Sequence, residues 1–280
     1  MTKIKIVTDS TIDVRKELLE EYQVTIVPLS ITIDSKNYID GVDISPDVFI
    51  ELMSQSKELP KSSQPPVGEF LNIYDELGKD GSSIISIHMT KGLSGTVQSA
   101  EAAAQMSTSD VTVIDSMFIS KALGFQVIES AKMAQNGSTK EEILNRIEEI
   151  RSNTTLYISV DTLENLVKGG RIGRGKALIG SLLNIKPIAK LQDGEYTPVG
   201  KVRSHSQAVK YLAKQFAEDV KGKTVKAVGV AHADASEFAN NLKKAVTEIS
   251  PNSLVDISFT TPIISTHTGR GAIGFMFYAE

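Results

Sequence analysis

The sequence predicts an α/β protein of two domains, and three observations support that prediction. Short β-branched segments alternate with helical patterns up to about residue 150, which is typical of a mainly parallel sheet covered by helices. Beyond that residue several strand patterns follow one another directly, which indicates an α+β arrangement. The length of 280 residues suits one large domain or two modest ones. We therefore predict an N-terminal α/β domain over residues 1–152 and a C-terminal α+β domain over residues 153–280.

Strand and helix patterns alternate regularly in the predicted N-terminal domain. Asp13 occupies the capping position of a helical pattern that continues to about Tyr22, and Pro46 stands at the start of a later one. Pro28 interrupts a strand pattern, and residues 138–141 form a helix-capping pattern. Strands are predicted at residues 4–7, 25–33, 84–87 and 111–114, and helices at residues 13–22, 47–53, 67–77, 97–105, 119–135 and 139–151.

The predicted C-terminal domain contains consecutive strand patterns with few helices between them. Strands are predicted at residues 156–160, 185–191, 196–202, 225–231, 254–259 and 272–278, and helices at residues 206–220 and 235–248. No low-complexity linker separates the two halves of the chain, so we expect the domains to share an extensive interface.

The composition excludes several classes of site. Cysteine is absent, which excludes disulfides, Cys-ligated zinc, iron–sulfur clusters and thiol nucleophiles. The four histidines include no pair at i and i+4, so we expect neither a metal nor a cofactor. A net charge of −4 argues against a nucleic-acid-binding surface. Because the first residues lack a signal-peptide pattern and no apolar run could span a bilayer, we expect a cytoplasmic protein.

A glycine-rich segment at residues 170–176 satisfies the spacing of a nucleotide-binding P-loop, G-x-x-x-x-G-K. A P-loop requires Ser or Thr next, to ligate magnesium, whereas this chain has Ala177. The segment also follows a helical pattern instead of a buried strand. We interpret it as a basic turn whose Lys168, Arg171, Arg174 and Lys176 form an exposed docking or anion-binding surface.

A second glycine motif, G-x-G-x-x-G at residues 269–274, has the spacing of a dinucleotide-binding loop. Such a loop must lie between a strand and a helix. Here only six residues follow, and they have a strand pattern. We interpret this motif as a turn where the backbone passes close to another group.

The segment Gly92-Leu93-Ser94-Gly95-Thr96 resembles the nucleophile elbow of a serine hydrolase, G-x-S-x-G, in a strand-to-helix context. Its fifth residue is Thr, and the sequence offers few histidines to complete a triad. An acyl hydrolase that uses Ser94 is therefore the alternative hypothesis. The same turn could instead direct backbone N–H groups and hydroxyls at an anion, which is the simpler use.

Hydroxyl-rich segments follow several of the predicted strands. Ligands of α/β sheets bind at the carboxyl ends of the strands, so these segments predict a pocket rich in neutral hydrogen-bond donors. The segments are Thr8-Asp9-Ser10, Ser62-Ser63-Gln64-Pro65, Ser94-Gly95-Thr96, Asp115-Ser116 and Ser265-Thr266-His267-Thr268-Gly269.

Seven ordered motifs together resemble the DegV family: TDS, SSQP, GLSGT, VIDS, LVKGGRIG, IKPI and STHTGRGAIG, which extend from Thr8 to Gly274. The resemblance implies two domains with one fatty acid buried between them. It implies the fatty-acid-binding subunit of a bacterial fatty acid kinase, whose ATP site lies on a separate subunit. The bound fatty acid would be converted to an acyl phosphate for phospholipid synthesis, with transient contact with a membrane surface during lipid exchange.

The resemblance also implies roles for individual residues. It assigns no catalytic residue to this chain. It places the carboxylate near Ser62, Ser63, Ser94, Gly95, Thr96 and His267. It marks Arg203 as a contact for partner docking or carboxylate control, a role that we extend to Arg171 and Arg174 of the basic turn. Many relatives have Thr at position 62, and Ser62 retains the hydroxyl.

A fatty acid presents two different binding problems. About 15 methylene groups at roughly 0.8 kcal/mol each hold the tail through burial alone. The carboxylate needs hydrogen-bond donors in an apolar cavity, or it will be protonated. We expect two hydroxyls and an imidazole to supply these donors without a fixed positive charge, which leaves the carboxylate free to react.

Overall fold

A computed structural model of the protein describes residues 3–178 and 185–280. The strands are β1 (Ile4–Asp9), β2 (Thr25–Val27), β3 (Ser30–Ile33), β4 (Lys36–Ile39), β5 (Lys61–Ser63), β6 (Ser83–His88), β7 (Val111–Asp115), β8 (Thr154–Ser159), β9 (Lys186–Gln192), β10 (Glu195–Val202), β11 (Val225–His232), β12 (Val255–Phe259) and β13 (Ile273–Ala279). The helices are α1 (Lys16–Glu21), α2 (Pro46–Gln55), α3 (Val67–Gly78), α4 (Thr96–Met106), α5 (Ser120–Gln135), α6 (Lys140–Asn153), α7 (Glu164–Lys168), α8 (His205–Asp219), α9 (Ser236–Ile249) and α10 (Pro262–Thr268), with a 3-10 helix at Gly173–Leu178.

The first sheet is parallel and has the strand order β2–β1–β6–β7. Side chains alternate between its two faces, as the strand period of two residues requires. Ile84 packs with Phe70 and Tyr74 of α3 on one face, whereas Ile85 packs with Leu123 of α5 on the other. Burial on both faces confirms the predicted α/β layer. Because the strands are parallel, their carboxyl ends lie along one edge of the sheet.

The second sheet has the order β10–β9–β8–β13–β11–β12 and is mixed, because only β11 and β12 pair in parallel. Helices α8 and α9 cover one face, where Phe216 packs against Phe275 and Phe277. The other face carries Leu156 and Met276, which join a core that includes residues of the first half of the chain. The predicted boundary at residues 152 and 153 falls at the end of α6 and stays a prediction.

A small antiparallel sheet with the order β4–β3–β5 completes the fold. The sequence predicted one strand over residues 25–33, but Pro28 divides it into β2 and β3, which belong to different sheets. Strands β4 and β5 were missed because they are short, polar and largely exposed. No helix in the described part of the chain combines the length and apolar character needed to cross a bilayer.

The predicted caps of two helices, α1 and α6, were wrong, and so was the expectation that residues 265–269 lie in a loop after a strand. Asp13 does not cap α1, whose first turn receives no side-chain hydrogen bond; Asp13 is buried and bonds elsewhere. The capping box of α6 uses Thr139 and Glu142, one residue later than predicted. The hydroxyl-rich segment at residues 265–269 belongs mostly to helix α10, because Pro262 begins a helical turn there.

Candidate functional site

A cavity of about 310 Å³ lies where the edge of the parallel sheet meets the second sheet and α10. Its wall mixes hydroxyl, amide, guanidinium and imidazole groups with aliphatic side chains. The lining residues are Thr11, Leu29, Ser62, Ser63, Gln64, Met89, Leu93, Ser94, Ile119, Leu166, Arg171, Tyr196, Ile263, Ile264, His267 and Thr268. Four of the predicted carboxylate contacts, Ser62, Ser63, Ser94 and His267, are therefore brought to one cavity.

Ser62 and His267 meet across the site. Strand β5 holds Ser62 opposite Ile31 of β3, and α10 carries His267. The Ser62 hydroxyl lies 2.7 Å from Nε2 of His267. Burial lowers the pKa of His267 to about 4, and the nearby charge of Arg171 acts in the same direction. The imidazole is therefore neutral at neutral pH, and its Nδ1 atom is buried without a partner among the described residues.

Ser94 stands in the turn between β6 and α4. Its hydroxyl lies 2.9 Å from the hydroxyl of Thr96 and accepts a hydrogen bond from the Thr96 amide at 3.3 Å. Gly95 and Thr96 do not line the cavity; Thr96 bonds to the Ser94 hydroxyl, and Gly95 bonds to Gln64. Direct contact of these two residues with a carboxylate stays a prediction.

Gln64 fastens the SSQP segment to this turn, a role that the sequence did not reveal. Its amide nitrogen donates to the Gly95 carbonyl at 3.0 Å and to the Ser99 hydroxyl at 2.7 Å. A Cβ atom at position 95 would lie 2.1 Å from the Gln64 side chain. An alanine at position 95 would therefore push the Gln64 amide away from its hydrogen bonds to Gly95 and Ser99.

Arg171, predicted for partner docking or carboxylate control, lies in the cavity wall and brings a positive charge that the predicted set of hydroxyl and imidazole donors did not include. Its Nε donates to the Leu93 carbonyl at 3.0 Å, and its Nη1 donates to the Gly169 carbonyl at 2.6 Å. These two bonds join the segment after α7 to the Ser94 turn. We call Ser62, Ser94, Arg171 and His267 the polar cluster.

The other two predicted arginines do not line this cavity. Arg174 is exposed and lies 3.6 Å from Asp193 and 3.5 Å from Glu195. Arg203 is exposed, and its backbone amide donates to the Gln207 side chain. The predicted docking roles of both arginines stay predictions.

Two small apolar cavities of about 20 Å³ each adjoin the main one. One is bordered by Ile119 and Ile264 and extends toward Met276, and the other is bordered by Leu166 and extends toward Ile172. Tyr196 borders all three spaces. The apolar part of the site therefore continues into the core between the two larger sheets, which the periodicity of single segments could not reveal.

A chain of buried, hydrogen-bonded polar groups supports the part of the cavity wall that follows strands β1 and β6. Tyr74 donates to Ser86 at 2.8 Å, Ser86 lies 2.7 Å from Nε2 of His88, and Nδ1 of His88 lies 3.1 Å from Asp9. Burial raises the pKa of Asp9, but hydrogen bonds from His88, Thr11 and the Met89 amide outweigh it and hold that pKa below its ordinary value. The carboxylate thereby fixes two residues of the cavity wall, Thr11 and Met89.

The geometry does not favour the alternative of a serine hydrolase. A triad requires an imidazole on the nucleophile and a carboxylate behind that imidazole. Here His267 bonds to Ser62 instead of Ser94, and within the described ranges no carboxylate reaches its Nδ1. The described residues also contain no group of three or more His, Asp or Glu side chains suited to a metal ion.

The two remaining glycine motifs have the contexts that the sequence indicated. Residues 170–176 follow α7 and continue into the 3-10 helix; because a helix and not a strand precedes them, a P-loop is not formed there. Residues 269–274 follow α10 and lead into β13. Gly271, whose φ is +86°, passes close to the Asp161 carboxylate.

Comparison with known proteins gives consistent results over the whole chain. A family model described as "Uncharacterised protein, DegV family" matches residues 3–280. A DegV domain-containing protein of Staphylococcus aureus is 45% identical over 276 residues, which are 99% of each chain. The crystal structure of DegV from Bacillus subtilis, described as a fatty acid binding protein, is 33% identical with a TM-score of 0.90 and covers 99% of this chain and 100% of its own. A DegV family protein from Thermus thermophilus, described with fatty acid binding, is 30% identical with a TM-score of 0.91 over 100% of both chains.

The His267 ring packs against Gly169, where the absence of a side chain makes room for it. A Cβ atom there would lie 2.3 Å from Nδ1 of His267, while the backbone φ of −76° accepts any residue. We therefore expect Gly169→Ala to displace the imidazole from Ser62 through a steric effect alone. The ring resonances of His267 measure this displacement, and Gly68→Ala, which meets no atom within 4 Å, is the control. Unchanged resonances in a folded Gly169→Ala protein would contradict the assignment.

The low pKa of His267 makes the stability of the ligand-free protein depend on pH. The folded-state pKa is about 4 against an ordinary value of 6.5, so the unfolded state binds more protons between these values. Stability contributed by the neutral ring is therefore complete above pH 6.5 and declines as the pH falls toward 4. Relative to His267→Gln, we expect the delipidated wild type to lose up to about 3 kcal/mol across this window. Urea unfolding of both proteins tests this, and parallel pH curves would refute it.

Proposed function

This chain belongs to the DegV family, and we propose that it binds one long-chain fatty acid in the cavity, with the carboxylate at the polar cluster. The observation that carries the proposal is an apolar cavity wall interrupted by hydroxyl, imidazole and guanidinium groups at one place. The fatty-acid-binding relatives from B. subtilis and T. thermophilus support it.

The tail would follow the apolar wall from Leu29 and Met89 toward Ile119 and Ile264. Burial of about 15 methylene groups contributes on the order of 10 kcal/mol before the entropy of ordering the chain is subtracted. The small adjoining cavities beside Tyr196 show where the space continues. Binding of the tail therefore needs no specific polar contact.

The carboxylate would receive its hydrogen bonds from Ser62, Ser94 and His267. The neutral imidazole donates one bond, and either hydroxyl can turn its proton toward an oxygen. Arg171 adds positive charge, but two of its N–H groups are already bonded to backbone carbonyls. It therefore compensates part of the negative charge from a position that the Leu93 and Gly169 carbonyls fix.

We further propose that the protein presents this carboxylate to a separate, ATP-dependent kinase subunit in the cytoplasm. Ser63 and Gln64, which line the cavity beside Ser62, are exposed, so the head-group end lies near solvent. Residues 170–176 lack the context of a phosphate-binding loop, which supports an ATP site on another protein. The protein would then be a lipid-binding subunit without catalytic residues of its own.

In this reaction a carboxylate oxygen attacks the γ-phosphorus of ATP. The bond between that phosphorus and the β–γ bridging oxygen breaks, ADP leaves, and an acyl phosphate remains on the binding protein. The product would supply acyl groups to phospholipid synthesis. The role of this chain is to hold the nucleophile in place, which lowers the entropic part of the barrier.

Lipid binding is tested on the purified protein. We expect mass spectrometry of the denatured protein to detect a long-chain fatty acid in about one-to-one ratio. We expect His267→Ala and Ser62→Ala to weaken binding of labelled palmitate by roughly tenfold each, since a hydrogen bond to a charged group contributes about 1.5–3 kcal/mol. Asp80→Asn, on the exposed surface, is the control. An empty wild-type protein that takes up no palmitate would contradict the proposal.

Docking to a kinase is tested separately from lipid binding. We expect Arg203→Glu to lower acyl-phosphate formation by a matching kinase subunit by about tenfold, because reversal of a charge at an interface opposes association. Palmitate affinity should not change, since Arg203 does not line the cavity. Lys16→Glu, an exposed charge reversal on α1, is the matched control. Equal transfer rates for the two variants would exclude Arg203 from docking.

A further inference from the structure

Helix α10 supplies His267 to the polar cluster, yet its first residues contact elements from the opposite end of the chain. It follows β12 of the second sheet directly and packs against α2, α7, β3 and β5. The helix has only seven residues, and His267 is the sixth of them. A shift at the start of so short a helix is carried to the imidazole, because one rigid turn separates the two.

The residues that begin α10 are held by Asp13, which follows β1. One carboxylate oxygen of Asp13 accepts a hydrogen bond from the Thr261 amide at 2.9 Å. The other accepts from the Thr260 hydroxyl at 2.8 Å and from the Ser120 hydroxyl. Asp13 is 5% exposed, so these bonds form in a poorly hydrated environment where loss of a partner is costly.

A second buried carboxylate lies beside the same turn. Asp40 is 1% exposed and accepts a hydrogen bond from the Ser10 hydroxyl at 2.7 Å. Ser10 accepts in turn from the amide of Leu29, which lines the cavity. Burial raises the pKa of Asp40 to about 7, and the backbone amide of nearby Ile263 opposes that rise. Two aspartates from the first 40 residues therefore flank residues 260–263.

We propose that Asp13 is a positioning residue for carboxylate recognition: by fixing the start of α10, with Asp40 beside it, it sets His267 at hydrogen-bond distance from Ser62. This inference rests on the proposed function. Asp13 does not line the cavity, so its effect passes through α10. It differs from a general interface contact, because its partners Thr260 and Thr261 immediately precede the helix that carries the imidazole.

A nearby ion pair between Lys121 and Asp256 offers a control variant for substitutions of Asp13. Lys121 is 3% exposed and lies 2.7 Å from Asp256 of β12, at the same contact between the two larger sheets. This pair joins α5 to the second sheet; Lys121 also donates to the backbone carbonyl of Asp13 at 3.1 Å, but the pair has no hydrogen bond to α10 among the described residues. Asp256→Asn therefore perturbs the same interface, and the Lys121 side chain beside Asp13, while it retains the Asp13 carboxylate and its bonds to Thr260 and Thr261.

The experiment compares two ligands that differ only in the head group, palmitate and hexadecanol. The ratio of their dissociation constants reports recognition of the carboxylate and is insensitive to loss of tail binding. We expect Asp13→Ala to reduce the preference for palmitate by about tenfold, since the two hydrogen bonds that hold Thr260 and Thr261 at the start of α10 are lost. Asp13→Asn keeps the acceptor for the Thr261 amide and should lose less. Asp256→Asn should leave the ratio unchanged.

The outcomes separate this inference from the proposed function. A wild-type protein that shows no preference for palmitate would contradict the proposed function itself. A preference that His267→Ala abolishes but Asp13→Ala preserves would overturn only the positioning role. If Asp13→Ala does not fold, Thr260→Val decides, because it removes one of the two hydrogen bonds between Asp13 and the start of α10 and retains the volume; we expect about a threefold loss of preference. An unchanged ratio in Thr260→Val would overturn the inference.

Discussion

The hydrogen bond between Ser62 and His267 depends on the arrangement of the whole molecule. The two residues are 205 positions apart, and neither belongs to the larger sheets. Ser62 is placed by a three-residue edge strand, and His267 by a seven-residue helix. Neither element has enough apolar surface to be stable alone, so the site exists only because the parallel and mixed sheets pack together.

Polar groups behind the cavity wall give this site its rigidity. The chain from Tyr74 through Ser86 and His88 to Asp9 is buried, and its hydrogen bonds continue to Thr11 and Met89. A satisfied buried network has few alternative arrangements, because every displacement would leave a donor or acceptor unpaired. The loops that follow the strands therefore act as fixed parts of the wall, and the ligand meets a site whose donors are already oriented.

The electrostatics of the polar cluster suit a ligand that must bind and then react. Burial keeps His267 neutral, so the empty site does not carry two adjacent cations. Arg171 provides one positive charge while its bonds to Leu93 and Gly169 hold it against the wall. Full neutralisation by a bidentate arginine would stabilise the carboxylate more strongly and weaken it as a nucleophile. Hydroxyl and imidazole donors leave the oxygens more reactive.

The sequence by itself determined the two-part α/β architecture. Each strand or helix shows its own periodic pattern of apolar residues, and that pattern can be recognised without knowing what the segment packs against. The resemblance of its seven motifs to the DegV family implied that Ser62, Ser94 and His267 lie at one site, and all three line one cavity. The sequence did not determine that Pro28 divides one strand between two sheets, or that residues 265–268 are helical. Those outcomes depend on packing partners far away in the chain.

The tertiary structure alone decided which side chains support the site. The sequence pattern predicted that Asp13 caps a helix, yet its carboxylate accepts hydrogen bonds from Thr260 and Thr261 in the second half of the chain. Arg171 was predicted to lie in an exposed basic turn, yet it lines the cavity and donates a hydrogen bond to the Leu93 carbonyl. Buried polar groups must find partners wherever the fold brings them, and the fold brings together residues that no local pattern connects.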